Sequence, residues 1–256
     1  MTRSQAPAGG VQSVKRAFDL LEIMATVGGS IGVSALAESA GLPLPTIHRL
    51  IRTLASLGYV RQLPSRRYAL GPQFIRLGDS ATRLIGAWSR SRLSDLVKAT
   101  GETASIAILD GNMAVYVAQV PSEHSMRMFT EAGQRVYPHC TGVGKALLAQ
   151  LSNEAVRSIV GGIGMPAQTA NTLTDPDSLI ADLELSRHRG YVVDEGEQEI
   201  GVRCFSVAVP DAPTLTAVSV SGPAARISLE SADHIVPLLK RVAKELSTEL
   251  SSTSPP

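Results

Sequence analysis

Residues 41 to 70 read GLPLPTIHRLIRTLASLGYVRQLPSRRYAL, and this stretch decides the fold of the N-terminal third of the chain. Pro45 suits the first turn of a helix, where its missing N–H costs no hydrogen bond. Apolar residues then recur at helical spacing as far as Leu57, and Gly58 suits the end of a helix. Two strand-like runs follow, at residues 59–63 and 67–70. The stretch therefore predicts a helix followed directly by a β-hairpin.

The polar face of this helix and the tip of the hairpin carry side chains suited to DNA. A helix with Thr, His and Arg facing outward can enter a major groove while a basic hairpin tip lies along the phosphates. The alternative is a solvent-exposed cationic helix without a partner. We predict base or phosphate contacts from Thr46, His48, Arg49 and Arg52 on the helix and phosphate contacts from Arg66 and Arg67 on the hairpin.

The preceding residues complete a recognisable order of elements. An amphipathic helix is predicted at residues 11–27, with an apolar face made of Val14, Phe18, Leu21, Met24 and Ala25. Residues 31–33 suit a minimal strand that pairs with the hairpin, and residues 34–40 suit a second helix with Ser34 as its N-cap. Helix, helix, short turn, helix and hairpin is the order of a winged helix-turn-helix.

Composition and charge limit the class of protein. The chain has 256 residues, 44% of them hydrophobic, which is enough for two modest domains. It contains two cysteines, no apolar run of membrane-spanning length and no signal-peptide pattern at the N-terminus, so we expect a cytoplasmic protein with no membrane contact. Of its 24 basic and 23 acidic residues, nine and three fall within residues 1–78. A basic first third suggests a polyanion-binding module.

The rest of the chain alternates between helical and β patterns. Helices are expected at residues 73–89, 90–100 and 142–151 and after Ser231, and strands at residues 103–109, 113–120, 126–130, 191–193, 202–209 and 215–221. Hairpins mixed with helices predict an α+β domain, in which helices flank an antiparallel sheet. We therefore divide the chain into a disordered tail (1–10), a winged helix-turn-helix (11–72), a linker helix (73–89) and an effector-binding domain (90–256).

Three groups of residues in the C-terminal part suggest chemistry. The glycines of residues 139–146 do not match a P-loop, but at a helix N-terminus they leave N–H groups that can hold a small carboxylate, or they only form a tight turn. Cys204 lies in a predicted central strand. Three roles are open for it: a nucleophile, a reversible covalent trap or a small buried hydrophobic residue. The acidic residues from Asp194 to Glu199 have no ordered ligand spacing, so we predict neither a metal nor a cofactor.

Six blocks of sequence resemble the IclR family of transcriptional regulators, and the similarity extends from about Val11 to Leu250. The blocks are VQSVKRAFDLLEIMA, LPLPTIHRLIRTLASLGYVRQ, SRRYALG, HCTGVGKALLA, RGYVVDEGEQEIGVRCFSVAVP and AVSVSGP. The resemblance implies an N-terminal winged helix-turn-helix, a linker helix and a C-terminal GAF-like effector domain. It also implies a homodimer or dimer of dimers that binds palindromic double-stranded DNA and responds to small organic acids.

The resemblance also implies which residues form the effector pocket. Matched position by position, these are Gly142 and Val143 at the start of a helix, Asp194, Cys204, and two serines of the last strand, Ser219 and Ser221. Ser219 and Ser221 are two residues apart on one predicted strand, so their hydroxyls face the same side of the sheet. Amide and hydroxyl donors with one carboxylate acceptor suit a small hydroxy- or keto-acid, which we predict as the carboxylate effector. An aromatic acid is the alternative, although the chain offers few aromatic side chains, 4% of its residues, for a ring to stack on.

The sequence is best interpreted as a DNA-binding transcriptional regulator, a repressor, whose operator affinity depends on a small acid. Two other functions fit parts of it. One is a small-molecule enzyme that uses Cys204 and Asp194 and carries a basic accessory domain. The other is a protein–protein adaptor whose winged helix never touches DNA. The basic recognition face argues against the adaptor, and the missing catalytic base argues against the enzyme.

Overall fold

The computed structural model describes residues 11–83, 87–128 and 130–252. Its internal contacts divide the chain into two compact units, Met1–Ala81 and Thr82–Pro256. The predicted disordered tail lies outside the described residues.

The first unit is a set of helices with a two-stranded antiparallel hairpin, in the order predicted. Its elements are α1 (Gln12–Val27), α2 (Val33–Ala40), α3 (Leu44–Ser56), β1 (Val60–Gln62), β2 (Tyr68–Leu70) and α4 (Gln73–Arg83). Ile31 pairs with Tyr68, which confirms the expected minimal strand beside the hairpin. Gly41 ends α2 with a φ of 62°, a left-handed conformation that suits glycine at the turn between α2 and α3.

The core of the first unit differs from the sequence prediction in two details. Leu21 and Met24 of α1 are buried in it, but Val14 and Phe18 are 52% and 60% exposed. The predicted apolar face of α1 is therefore divided in two: Leu21 and Met24 pack against α2 and α3, and Val14 and Phe18 do not. The N-cap of α2 is Gly32 and not Ser34, because the helix begins at Val33 without a side-chain cap.

The second unit is an α+β domain, as predicted. Its elements are α5 (Ala87–Thr100), β3 (Thr103–Asp110), β4 (Met113–Val120), β5 (Arg135–Val136), a 3₁₀ helix (Pro138–Cys140), α6 (Gly142–Leu148), α7 (Asn153–Ile163), α8 (Pro176–Arg189), β6 (Val192–Glu195), β7 (Val202–Val209), β8 (Thr216–Pro223) and α9 (Ala232–Ser252). The strands form one antiparallel sheet in the order β5-β4-β3-β8-β7-β6.

Two predicted helix boundaries and one predicted strand in this unit were wrong. α5 begins at Ala87 and α6 ends at Leu148, and the described residues from 126 to 130 form no strand. That last segment is held instead by side chains of the sheet, since the Thr103 hydroxyl donates to the carbonyl of Met128 at 3.0 Å. Part of the predicted linker helix, residues 84–86, lies outside the described residues.

The two faces of the sheet have different partners. Phe205, Val218 and Val220 point to the face that packs against α5 and α9. Because side chains alternate along a strand, the neighbours of these residues point to the other face, which packs against α6. That second face carries both apolar residues, such as Ala217, and the polar residues of the candidate site.

Candidate functional site

Helix α3 presents the predicted DNA-binding side chains on its solvent side. His48, Arg49 and Arg52 are exposed and Thr46 is half-buried, whereas Ile47 is fully buried on the opposite side. Within the described part of the chain, neither the Arg49 nor the Arg52 guanidinium has a hydrogen bond or an ion pair. Both are available for the paired hydrogen bonds that arginine makes with guanine or phosphate.

A groove separates α3 from the hairpin. It has a volume of about 490 Å³ and is lined by His48, Arg49 and Arg52 on one side and by Gln62 and Tyr68 on the other. The sequence pattern alone does not point to Gln62 and Tyr68. Their position follows from the pairing of Gln62 with Tyr68 between β1 and β2, which sequence periodicity alone does not reveal.

The two arginines at the tip of the hairpin have different contacts. Arg66 is exposed at a φ of 60°, in the turn that returns the chain to β2. Arg67 donates from its Nε to the Ser30 hydroxyl at 3.0 Å and is thereby tied to the segment before α2. The structure therefore leaves Arg66 free for a phosphate, whereas Arg67 fixes the hairpin to the body of the unit.

The strand register brings four predicted effector residues together. Asp194 pairs with Cys204 between β6 and β7, and Cys204 pairs with Ser221 between β7 and β8. Ser219 lies two residues before Ser221 and therefore on the same face. We call Asp194, Cys204, Ser219 and Ser221 the polar patch. Its members are buried, except for Ser221, which is half-buried.

The start of α6 lies directly against the polar patch. A Cβ atom at Gly142 would lie 2.5 Å from the Sγ of Cys204 and 3.6 Å from the Cβ of Asp194. Only glycine fits this close approach. Val143 is buried beside it and packs with Ala107 and Ala217 of the sheet. All six predicted effector residues are thus neighbours in space.

Gly142 gives a direct test of this packing. We expect Gly142→Ala to lower the free energy of unfolding by about 1–3 kcal/mol, because the added methyl overpacks the contact with Cys204. Gly161 of α7 is the matched control, since nothing lies within 4 Å of a Cβ there. Gly161→Ala is expected to raise the same free energy by about 0.5–1 kcal/mol. Urea unfolding measures both, and equal effects would contradict the close approach.

The start of α6 has fewer free N–H groups than the sequence predicts. The helix has only seven residues, and Thr141 caps it by accepting from the Gly144 N–H at 3.2 Å. Gly144 is a packing requirement, because a Cβ there would lie 2.4 Å from the Cα of Pro138. Burial raises the pKa of Asp194 and the Gly142 N–H opposes that rise, so the anion beside this helix start is the protein's own carboxylate.

Asp194 is a buried carboxylate, 4% exposed, that accepts from the Glu197 N–H at 2.8 Å. Burial raises the pKa of Asp194 to about 6, although the N–H of Glu197 and the charge of Lys145 act in the opposite direction. The carboxyl is therefore able to change its protonation state close to neutral pH.

Lys145 of α6 is a buried cation that the sequence analysis did not recognise. Its ammonium lies 3.0 Å from Asp182, 2.5 Å from Glu197 and 2.8 Å from the carbonyl of Val193. Burial alone lowers the pKa of Lys145, but Glu197 and Asp182 outweigh that effect and raise it. One oxygen of Glu197, Oε2, is buried without a partner in the described part of the chain. The sequence signal was a lysine within an otherwise apolar helix.

The two cysteines do not have the character of nucleophiles. Burial raises the pKa of Cys140 to about 12 and raises that of Cys204 further, so both thiols are neutral at physiological pH. Tyr116 of β4, which the sequence analysis missed, packs against the cluster that contains Val143. Its pKa is raised by burial and then by Cys204 and Asp194, which places the phenol near the polar patch.

Two acidic side chains that follow Asp194 form ion pairs within the described residues. Among these residues, no three His, Cys, Asp or Glu side chains are grouped so as to hold a metal ion. Glu195 pairs instead with Arg203, and Glu197 pairs with Lys145. Within the same ranges, none of the helices combines the length and the apolar character needed to cross a bilayer.

Known proteins resemble both units of the chain. The family model for the C-terminal domain of the bacterial transcriptional regulator IclR matches residues 82–248, and that for the IclR helix-turn-helix domain matches residues 13–64. The transcriptional repressor IclR of Escherichia coli K12 is 37% identical over 250 residues, which cover 94% of this chain and 91% of that protein.

Solved structures have the same fold. The crystal structure of Thermotoga maritima IclR is 30% identical and has a TM-score of 0.79, covering 93% of this chain and 98% of the other. An IclR homologue from Microbacterium hydrocarbonoxydans, complexed with 4-hydroxybenzoate, is 21% identical with a TM-score of 0.80, covering 94% and 100%. The named relatives are regulators of transcription and not enzymes. The chain belongs to the IclR family of bacterial transcriptional regulators, with a helix-turn-helix DNA-binding domain in its first unit.

Proposed function

We propose that this regulator is a repressor whose affinity for a palindromic operator is controlled by a small carboxylic acid bound at the polar patch. The observation that carries this proposal is that Asp194, Cys204 and Ser219 are buried on the sheet face toward α6, where the strand register makes them neighbours. Buried polar groups are costly unless they are satisfied, and a ligand with matching groups would satisfy them. The E. coli relative is named a repressor, which supports the sign of regulation.

On the DNA side, the helix α3 would read the operator in the major groove. Thr46, His48, Arg49 and Arg52 would contact bases or phosphates, and Arg66 would contact a phosphate from the hairpin. Arg67 would act by holding the hairpin against Ser30, so its effect on DNA would be indirect. Two arginines that are adjacent in the sequence would therefore have different roles, one in contact with DNA and one in holding the hairpin.

On the effector side, the hydroxyls of Ser219 and Ser221 would donate to the ligand carboxylate, and the Val143 N–H would add a backbone donor. Asp194 would form a hydrogen bond with the ligand, and Cys204 would contribute a neutral thiol to the wall of the site. The Microbacterium homologue was solved with a carboxylic acid, 4-hydroxybenzoate, which agrees with this class of ligand.

The proposed function is tested by measuring operator affinity and melting temperature with and without lactate, pyruvate and 4-hydroxybenzoate. An acid that binds one conformation of the protein raises the melting temperature and shifts the affinity for DNA by linkage. A regulator that binds its operator and ignores every acid of this panel would contradict the effector part of the proposal and leave the DNA-binding part standing.

A palindromic operator also implies a two-fold assembly, so we propose a homodimer or a dimer of dimers. The exposed side chains of Val14 and Phe18 on α1 and of Leu77 on α4 form apolar surface that a second copy would cover. The sequence spacing predicts an apolar stripe for a dimer contact at Phe74, Leu77, Ile85 and Trp88. Phe74 packs instead against Tyr59, with ring centroids 5.3 Å apart. Ile85 lies outside the described residues, and the described structure does not cover the Trp88 side chain.

Light scattering tests the assembly. We expect a mass of at least twice the 27.0 kDa of one chain, and we expect Phe18→Glu to lower that mass, because a charge cannot be buried cheaply in an apolar interface. Leu185 of α8 is a control of similar exposure, at 66%, and Leu185→Glu is expected to have no effect. A single-chain mass for the unaltered protein would contradict the proposal.

A further inference from the structure

The candidate effector site contains more carboxylates than cations. Lys145 is a buried ammonium, and it is already shared between Glu197 and Asp182. Asp194 is buried close to them, and the described residues place no cation within ion-pair distance of its carboxylate. Three acidic groups therefore depend on one lysine, before any ligand enters.

The titratable or charged groups that face Asp194 are Lys145 of α6, Asp182 of α8, Glu195 and Glu197 of its own segment, Cys140 of the 3₁₀ helix, Cys204 of β7 and Tyr116 of β4. Of these, Glu197 is a second carboxylate with a raised pKa, of about 7, because burial outweighs the opposing charge of Lys145. The thiols and the phenol are neutral at physiological pH. Arg203, the nearest guanidinium on β7, is paired with Glu195.

A ligand carboxylate at Ser219 and Ser221 would thus enter a site that is already negative. Ser221 and Asp194 both pair with Cys204 across the sheet, so the ligand would lie within two strands of Asp194. Two carboxylates that share a buried site do not both ionise, because one of them retains a proton. Burial has already raised the pKa of Asp194 to about 6, so this carboxyl is ready to take that proton.

We propose that the effector site takes its small acid together with one proton, which the ligand carboxylate shares with Asp194. The proton comes from solvent, and no covalent bond forms or breaks. The inference rests on the proposed function, since it assumes that a carboxylate binds at the polar patch. It narrows the ligand class to acids that enter with no net change in the charge of the site.

Titration calorimetry with lactate tests the proposal. Binding at pH 7 in two buffers of different ionisation enthalpy gives the number of protons taken up, which we expect to be about one per site. The dissociation constant of lactate is expected to rise about tenfold between pH 7 and pH 8. Binding takes up one proton, and the proton concentration falls tenfold over that interval.

Two variants locate the proton. Asp194→Asn keeps an acceptor for the Glu197 N–H, and we expect its lactate affinity to be independent of pH with no proton taken up. Glu195→Gln is the matched control on the same strand, where Glu195 is exposed and paired with Arg203, and it is expected to keep the uptake. If Asp194→Asn does not fold, the proton count of the unaltered protein decides the question.

The possible outcomes separate this inference from the proposed function. Lactate binding without proton uptake would overturn the inference and leave the effector site in place. Full uptake in Asp194→Asn would also overturn it, since another group would then hold the proton. If lactate, pyruvate and 4-hydroxybenzoate all fail to bind even at pH 6, where proton uptake is easiest, both the proposed effector class and the inference are wrong.

Discussion

Replacing Arg49 and Arg52 together with alanine is expected to abolish tight operator binding. Both side chains are exposed on α3, line the groove opposite the hairpin, and have no partner in the described part of the chain. A good arginine contact to a base or phosphate is worth about 10- to 100-fold in affinity, so the pair should cost at least 100-fold. Fluorescence anisotropy with an operator duplex measures the loss.

The single variants and the salt dependence distinguish the roles of the two arginines. An arginine that contacts only phosphate lowers affinity equally for all sequences and reduces the slope of log affinity against log salt by about one. An arginine that reads a base also relaxes sequence preference. We expect the second behaviour from Arg49→Ala. Arg157→Ala, in α7 of the other unit, is the control and should leave DNA binding unchanged. Unchanged affinity and specificity in the double variant would exclude α3 as the reading helix.

The DNA-binding unit was largely predictable because its signals are local. Pro45, the apolar spacing of α3 and the turn before β2 all act within a few residues of one another, and the structure has the helix and hairpin where they indicate. Arg67 was not predictable in the same way. Its partner, Ser30, lies 37 residues away, so that contact depends on the fold of the whole unit.

The candidate effector site was harder to predict from the sequence than the DNA-binding unit, because more of its contacts join residues that are far apart in the chain. The alternation of Ser219 and Ser221 on one face was predictable from strand geometry, and the register confirms it. The contact of Lys145 with Glu197 joins residues 52 positions apart, and no local pattern links those two residues. The placement of Asp194 against α6 depends on a helix and a strand that meet only in the folded domain. That placement is why a helix start that looked open to a ligand already faces a carboxylate.

Ser219→Ala combined with Ser221→Ala is expected to abolish the response to the effector while operator binding without effector survives. The two hydroxyls lie on the same face of β8, toward α6, and a hydrogen bond to an anion contributes about 1.5–3 kcal/mol. Losing two such bonds would weaken acid binding by at least about 100-fold. The readouts are the acid-induced shift in melting temperature and the acid-induced change in operator affinity.

Ser206→Ala is the sharpest control for this double variant. Ser206 pairs with Ser219 across β7 and β8 and shares its face and its burial, but its hydroxyl is already donated to the carbonyl of Val218 at 3.0 Å. It has no second proton to give a ligand, so Ser206→Ala should keep the response even if it lowers stability. If the Ser219 and Ser221 double variant responds to its acid as the unaltered protein does, the polar patch does not hold the ligand carboxylate. A response lost equally in Ser206→Ala would instead show that packing on this face, and not hydrogen bonding to the ligand, controls the regulator.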